Sequence, residues 1–211
     1  MKIRRPRKIA TRRASKTATG EFHPISQEAC QEHENAGEYS VLAILDADPS
    51  VEEFASQPET FSLQAGSTYT PKALIIYRGG RRVYVDVKTA IHFAQDPDFG
   101  GRLEEIIDAA AERSANFEVW TEQYYDDSVR RYNAEYLRHS RRRSSALHVD
   151  MVHSLLEHGA LSLTEIERVL DIGSAARFAA IALCAHGRAV FDRAAAIGPR
   201  TVVRLARGKW S

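Results

Sequence analysis

The chain has few of the features that mark a secreted or membrane protein. Its 211 residues include two cysteines, Cys30 and Cys184, which are far apart and have no companions at metal-ligand spacing. We therefore expect a reduced, cytoplasmic protein with two unpaired thiols rather than a disulfide. The longest apolar stretch, residues 178–185, is too short to span a bilayer, and no apolar segment typical of a secretory signal follows the basic N-terminus.

Two kinds of functional motif are also missing. The glycine pairs at 79–80 and 100–101 lack the Gly-Lys-Ser/Thr ending of a phosphate-binding loop. The eight histidines are scattered, and the pair His148 and His153 has a spacing that does not align on one helix face. The sequence therefore predicts neither a zinc site nor a histidine-based nucleophilic triad.

Charge is distributed unevenly, although the net charge is only +1. Eight basic residues and no acids occur in the first sixteen, so the rest of the chain is net negative. A second basic cluster, RHSRRR, spans Arg138–Arg143. Such blocks bind polyanions through counterion release, or else they solvate a tail or a linker. The candidate DNA-binding residues are Arg4, Arg5, Arg7, Lys8, Arg12, Arg13, Lys16, Arg141, Arg142 and Arg143.

Hydrophobic periodicity predicts an α/β first domain with a mixed sheet. Residues 28–45 show helical spacing, which places Glu34 and Glu38 on one helix face as either a surface pair or a functional pair. The strongest local signal is a β-hairpin around Gly79-Gly80. The remaining predicted elements are a strand or helical turn at 51–56, an edge strand at 60–63, hairpin strands at 73–77 and 83–87, a helix at 102–115 opened by Phe99-Gly100-Gly101, and a strand at 117–121.

The C-terminal part predicts a smaller α+β domain. Residues 128–144 look helical, and three further helices are expected between Leu147 and Gly187, the middle one capped by Ser162 or Thr164. Two short strands at 189–192 and 201–205 follow, and three helices before such a pair are typical of a winged-helix domain. The predicted organisation is a basic flexible arm at 1–19, a first domain at 20–143 and a winged-helix-like domain at 144–211.

The end of the hairpin could carry metal-dependent chemistry. Asp86 and Lys88 are two residues apart on a strand, so their side chains project from the same face. A metal-dependent nuclease needs carboxylate and carbonyl oxygens around the metal, with a lysine near the attacking water or the phosphate. Glu38, Asp86 and the backbone carbonyl of Val87 are the candidate metal ligands, and Glu38, Asp86 and Lys88 are the candidate catalytic residues.

Several motifs in series resemble the TnsA endonuclease subunit of heteromeric cut-and-paste transposases. The resemblance covers about residues 20–207 and rests on Glu34-x-x-x-Glu38, Leu45-Asp46-x-Asp48-Pro49-x-Val51, Phe54-x-x-Gln57-Pro58, Tyr69-Thr70-Pro71, Val85-Asp86-Val87-Lys88, Thr121-Glu122 and Arg131-Tyr132-Asn133-x-x-Tyr136-Leu137-Arg138. It implies a restriction-endonuclease-like domain that cuts DNA at transposon ends with Mg²⁺ or Mn²⁺. It also implies double-stranded DNA, a DDE-type transposase and an AAA+ regulator as partners, and no membrane.

One position departs from the family pattern. Glu38 and Lys88 match the family's glutamate and lysine, and Asp86 falls where the family has Gln or Glu. Lys72, directly after Tyr-Thr-Pro, stands where the resemblance places the metal-binding aspartate. Because a lysine reverses the charge there, metal binding should be badly weakened.

Three interpretations of Lys72 stay open. The fold could persist as a structural or regulatory DNA- and protein-binding module in a mobile element or phage, without cleavage. Impaired cleavage could continue around one metal held by Glu38, Asp86 and the Val87 carbonyl. The third interpretation is an altered residue or a shifted alignment at Lys72.

Overall fold

The computed structural model describes residues 20–206, which form two compact units. The first unit comprises residues 20–45 and 51–127, and the second comprises residues 46–50 and 128–206. The helix that carries the second basic cluster therefore belongs to the second unit, whereas the sequence placed the domain boundary at residue 143. In the described part of the chain, no helix is both long enough and apolar enough to cross a membrane.

The first unit is mixed α/β. Its elements in chain order are β1 (Gly20–Phe22), β2 (Gln31–His33), α1 (Ala36–Asp46, whose last residue falls in the second unit), β3 (Val51–Ser56), β4 (Phe61–Ser62), a 3₁₀ turn (Gln64–Gly66), β5 (Thr68–Tyr69), β6 (Ala73–Tyr77), β7 (Arg82–Val87), α2 (Ala90–Gln95), α3 (Pro97–Ala111), β8 (Asn116–Trp120) and α4 (Glu122–Tyr125). The main sheet has the order β3-β6-β7-β8, with β7 and β8 parallel and the other neighbours antiparallel. Two-stranded ribbons, β1-β2 and β4-β5, accompany it.

The β6–β7 hairpin is the centre of this unit. Leu74 and Tyr84 are paired across it and pack in one buried cluster with Phe99 and Ile106 of α3. Ile75, on the opposite face because side chains alternate along a strand, is also fully buried. Strand β6 is therefore buried on both faces, in keeping with its central position in the sheet.

Several predicted elements of the first unit are confirmed. The hairpin strands and the strand before residue 121 are present, and residues 51–56, predicted as a strand or a helical turn, form a strand. Gly79 and Gly80 have φ values of 100° and 87°, a backbone region that glycine occupies without steric cost. The mixed sheet with flanking helices is therefore as expected.

Two helix boundaries were predicted wrongly. α1 begins at Ala36 and not near residue 28, because Gln31–His33 pairs with β1 as a strand and Asn35 Oδ1 accepts a hydrogen bond from Glu38 N at 2.9 Å. The glycines at 100 and 101 lie inside α3 rather than opening it. Asp96 caps that helix through Phe99 N at 2.9 Å, and Pro97 occupies its first turn.

The second unit combines four helices with a small antiparallel sheet. Its elements are α5 (Ser128–Arg143), α6 (Ala146–Leu156), β9 (Leu161–Ser162), α7 (Leu163–Leu170), α8 (Ser174–Ala185), β10 (Ala189–Val190) and β11 (Val202–Leu205). The sheet order is β10-β11-β9. α8, rich in buried alanines, contacts α5, α6 and α7 and is the core of the unit.

The secondary structure predicted for the C-terminal part is confirmed. The helices and the two terminal strands are present, and Ser162 caps α7 in a reciprocal capping box with Glu165. Strand β9 was missed because two residues are too few to show any periodicity.

Candidate functional site

Lys72 lies just before β6 and is turned toward two glutamates. Its Nζ is 2.6 Å from Glu34 Oε2 and 2.9 Å from Glu38 Oε1. The Lys72 side chain is 28% exposed and that of Glu38 only 8%. Lys72 therefore serves as the cation of a partly buried ion-pair cluster in which Glu38 is the most enclosed group.

Glu38 is held in place at the start of α1. Its own N–H donates to Asn35 Oδ1, and its Oε2 accepts a hydrogen bond from Glu34 N at 2.7 Å. Its Oε1 accepts from Asn35 Nδ2 at 3.2 Å in addition to its contact with Lys72. Both carboxylate oxygens thus already contact protein groups, and a metal ion at Oε1 would lie next to the Lys72 ammonium.

Gln57 completes the cluster from a strained backbone position. Its φ is +43°, which is uncommon for a residue other than glycine. Its N–H donates to Lys72 O at 2.9 Å, and its Nε2 donates to Glu34 Oε1 at 3.1 Å. Such strain is kept where surrounding contacts hold it, and here those contacts lead to Lys72 and Glu34.

The charge on Lys72 is set by opposing effects. Partial burial disfavours the ammonium form, whereas the carboxylates of Glu38 and Glu34 favour it. The attraction is the larger effect, and the pKa of Lys72 is raised above the ordinary lysine value. Lys72 is consequently a permanent cation at neutral pH.

Asp86 and Lys88 form a second group at the end of β7. Asp86 is buried, and its Oδ1 accepts a hydrogen bond from Val87 N at 2.9 Å. Lys88 Nζ lies 3.8 Å from Asp86 Oδ2 and 3.2 Å from Asp96 Oδ2. The same ammonium is 4.4 Å from the centre of the Phe99 ring, a cation–π distance.

Tyr69 belongs to this second group. Its hydroxyl is buried and, within residues 20–206, forms no hydrogen bond of normal geometry. Burial and the neighbouring charge of Asp86 both raise the pKa of Tyr69, so the phenol stays neutral. A neutral hydroxyl beside a buried carboxylate adds a donor at the end of β7.

The two groups meet at one end of the hairpin. The last paired positions of β6 and β7 are Ala73 and Val85, so the next positions in the same register are Lys72 and Asp86. An open cleft of about 820 Å³ is lined by Asn35 from the Glu38 side and by Val87, Lys88 and Asp96 from the Asp86 side. The register thus places Asp86 opposite Lys72, whose Nζ contacts Glu38, and Val87 and Lys88 follow Asp86 at the end of β7.

The second basic cluster is only partly available for binding. Arg138 is buried and its Nε lies 2.8 Å from Asp46 Oδ2. Arg141 is half-buried, and its Nη1 contacts the Asp46 carbonyl at 3.4 Å. Arg142 and Arg143 are exposed at the end of α5. The other proposed DNA-binding residues, which all lie between residues 1 and 16, fall outside the described residues.

Sequence reasoning did not include three residues of the site. Glu34 was noted for its spacing to Glu38, but it precedes α1 and reaches Lys72 from a loop. Gln57 belongs to the Gln-Pro motif, which gives no indication of a left-handed conformation. Asp96 could have been found from the Asp-Pro signal of a helix start, since its other oxygen caps α3.

Comparison with known proteins assigns no family. The chain matches no protein-family model, and a search of curated proteins finds no match.

Proposed function

We propose that this protein is a DNA-binding module of the TnsA endonuclease type in which a lysine takes the place of the catalytic metal. The first unit would be a restriction-endonuclease-like domain, and the second unit a winged-helix domain. The observation that carries the proposal is the position of Lys72 Nζ, 2.6 Å from Glu34 and 2.9 Å from Glu38.

The contacts of Glu38 support the absence of cleavage. Mg²⁺ binds through carboxylate oxygens and demands near-ideal octahedral geometry, while it gives up its own waters reluctantly. At Glu38 both oxygens already have partners, and one of these partners is an ammonium. In residues 20–206, no group of three acidic, histidine or cysteine ligand atoms converges within 4.8 Å at this cleft.

A second candidate function is impaired, metal-dependent cleavage. It is favoured by Asp86, whose Oδ2 has a loose contact with Lys88 at 3.8 Å. Asp86, the Val87 carbonyl and a Glu38 released from Lys72 would hold one Mg²⁺ or Mn²⁺ ion. Lys88 would then stabilise charge on the phosphate in the transition state.

Proposed partners follow from the resemblance. Double-stranded DNA would be contacted by the basic residues at 4–16 and by the exposed Arg142 and Arg143. A DDE-type transposase and an AAA+ regulator would be protein partners, in a transposon or in another mobile element or phage.

The test combines DNA binding and strand cleavage. Fluorescence anisotropy with a double-stranded oligonucleotide is measured in EDTA and in Mg²⁺ or Mn²⁺, and nicking of plasmid DNA is followed in parallel. We expect binding that changes by less than about twofold on chelation, with no nicking. Metal-dependent nicking that disappears in Asp86→Asn would establish the second candidate instead, and absence of DNA binding would refute both.

A further inference from the structure

The β1–β2 ribbon places metal-ligating side chains on one face. β1 and β2 are antiparallel, with Glu21 opposite Glu32 and Phe22 opposite Gln31. Continuing this register by one step puts His23 opposite Cys30. Since side chains alternate along a strand, Glu21 and His23 share a face with Cys30 and Glu32, whereas Phe22 points into the core on the other face.

The ligand atoms of three of these residues are already close together. One carboxylate oxygen of Glu21, one ring nitrogen of His23 and Cys30 Sγ all lie within 4.8 Å of one another. His23 Nε2 is 3.7 Å from Glu21 Oε2. In a tetrahedral zinc site with metal–ligand bonds of about 2.1 Å, two nitrogen or oxygen ligands lie about 3.4 Å apart. Small side-chain rotations would therefore bring the group to coordination distance.

The donor set selects the metal. A thiolate, an imidazole and a carboxylate together suit Zn²⁺, whereas Mg²⁺ and Ca²⁺ prefer oxygen ligands alone. We propose that Glu21, His23 and Cys30 bind a Zn²⁺ ion on the exposed face of the β1–β2 ribbon. Glu32 or a water molecule supplies the fourth ligand.

Binding at this site requires a proton to leave. The Cys30 thiol donates hydrogen bonds to the carbonyls of Phe22 at 3.4 Å and of Gln31 at 3.7 Å. Coordination replaces the S–H proton with Zn²⁺, and the proton goes to solvent. Affinity should accordingly increase with pH as the thiolate becomes accessible. All three side chains are exposed, so the ion has an open entry path.

The site would connect to the rest of the first unit through β2. Glu32 N donates to Ser56 Oγ at 3.1 Å, and β2 ends at His33, one residue before Glu34. A metal that joins the two short strands would restrain the segment that supplies Glu34 to the Lys72 cluster. The proposal does not rest on DNA binding or on cleavage.

The experiment uses Co²⁺ as a spectroscopic substitute for Zn²⁺ with the reduced, full-length chain. We expect one equivalent of Co²⁺ to produce a thiolate-to-cobalt charge-transfer absorption that Zn²⁺ abolishes. Cys30→Ser should remove this absorption. Zn²⁺ affinity is measured by competition with a chromophoric chelator, and both Cys30→Ser and His23→Gln should weaken it at least tenfold. His158→Gln, an exposed histidine in the second unit, is the matched control and should change the affinity by less than twofold.

Two results would overturn the proposal. The first is a wild-type protein that shows no thiolate-to-cobalt absorption under excess Co²⁺. The second is an absorption that persists in Cys30→Ser, because the thiolate would then be the buried Cys184. Glu32→Gln separates the two choices of fourth ligand, since it weakens Zn²⁺ binding only if Glu32 coordinates.

Discussion

Replacement of Lys72 by aspartate tests the proposed function most directly. In the structure this lysine neutralises Glu38, whose side chain is 8% exposed, and also contacts Glu34. Lys72→Asp removes that cation and adds the carboxylate that the resemblance expects. The variant should be unstable without metal, and under the proposed function it should bind a divalent metal at this cluster more tightly than the wild type does.

The expected loss of folding stability follows from the burial of the Lys72–Glu38 ion pair. Removing one partner of a buried ion pair costs about 3–5 kcal/mol, and Lys72, which keeps 28% exposure, belongs at the lower end of that range. For a chain of this size, each kcal/mol shifts the melting temperature by about 2–4 °C, so metal-free Lys72→Asp should melt about 6–12 °C below the wild type. Mn²⁺ at a hundred times its dissociation constant would return about 2.7 kcal/mol.

The assay is thermal unfolding followed by circular dichroism, in EDTA and in increasing Mn²⁺, with calorimetric titration of the same samples. Lys72→Asn is the matched control, because asparagine is nearly the same size as aspartate and removes the positive charge without adding a carboxylate. In EDTA it should melt below the wild type but above Lys72→Asp, which adds a third carboxylate beside Glu34 and Glu38, and it should recover little with Mn²⁺.

The proposed exclusion of metal by Lys72 fails if the wild type is stabilised by Mn²⁺ as much as Lys72→Asp is. It also fails if Lys72→Asp binds no Mn²⁺ by calorimetry, because the cleft would then not be a metal site from which Lys72 has excluded the ion.

Three further predictions concern charge. Arg138→Met should lower the free energy of unfolding by about 3 kcal/mol because it removes the buried salt bridge to Asp46. The exposed Arg142→Gln should change it by less than about 0.5 kcal/mol, and equal losses in chemical denaturation would contradict this. Deleting residues 1–16 should weaken DNA binding by orders of magnitude and flatten its salt dependence. The slope of the logarithm of the binding constant against the logarithm of the salt concentration should fall by about 0.9 for each phosphate that the arm neutralises. An unchanged slope in anisotropy titrations would show that the arm does not contact DNA. The pKa of Lys72 is raised, so its contribution to folding stability should be complete below the unfolded lysine pKa of about 10.4 and be lost as pH rises through the folded value. The difference in unfolding free energy between wild type and Lys72→Asn should therefore stay constant from about pH 7 to 10. A difference that shrinks by pH 9 would be inconsistent with this contribution.

The hairpin was predictable because its signals are local. Two apolar runs around Gly79-Gly80 specify the turn, and the Asp-x-Lys spacing places Asp86 and Lys88 on one face without knowledge of any other element. The same is true of α7, where Ser162 and Glu165 form a capping box within four residues. Here sequence and structure agree because each interaction joins residues that are close in the chain.

The start of α1 was not predictable from periodicity. Cys30 to Glu34 continue the spacing of the helix, but their backbone pairs with β1, which lies about ten residues earlier and gave no strand signal of its own. The same limit applies to the basic cluster. Arg138 reads as one of several surface arginines, and its burial depends on Asp46, 92 residues away.

Under the proposed function, the charge of the cluster accounts for a fold that is kept without a metal. An aspartate with a bound divalent cation carries a net charge of +1, and Lys72 carries the same charge from one side chain. Glu34 and Glu38 therefore face an equivalent positive charge, and Gln57 can hold the lysine carbonyl in its observed position. What an ammonium cannot supply is Lewis acidity, since it neither polarises a phosphoryl oxygen nor generates a metal-bound hydroxide. Electrostatic attraction for the glutamates would thus be preserved while hydrolysis is lost. Stability and metal binding are therefore measured together in Lys72→Asp, because the first reports on the fold and the second on the capacity for metal-dependent hydrolysis.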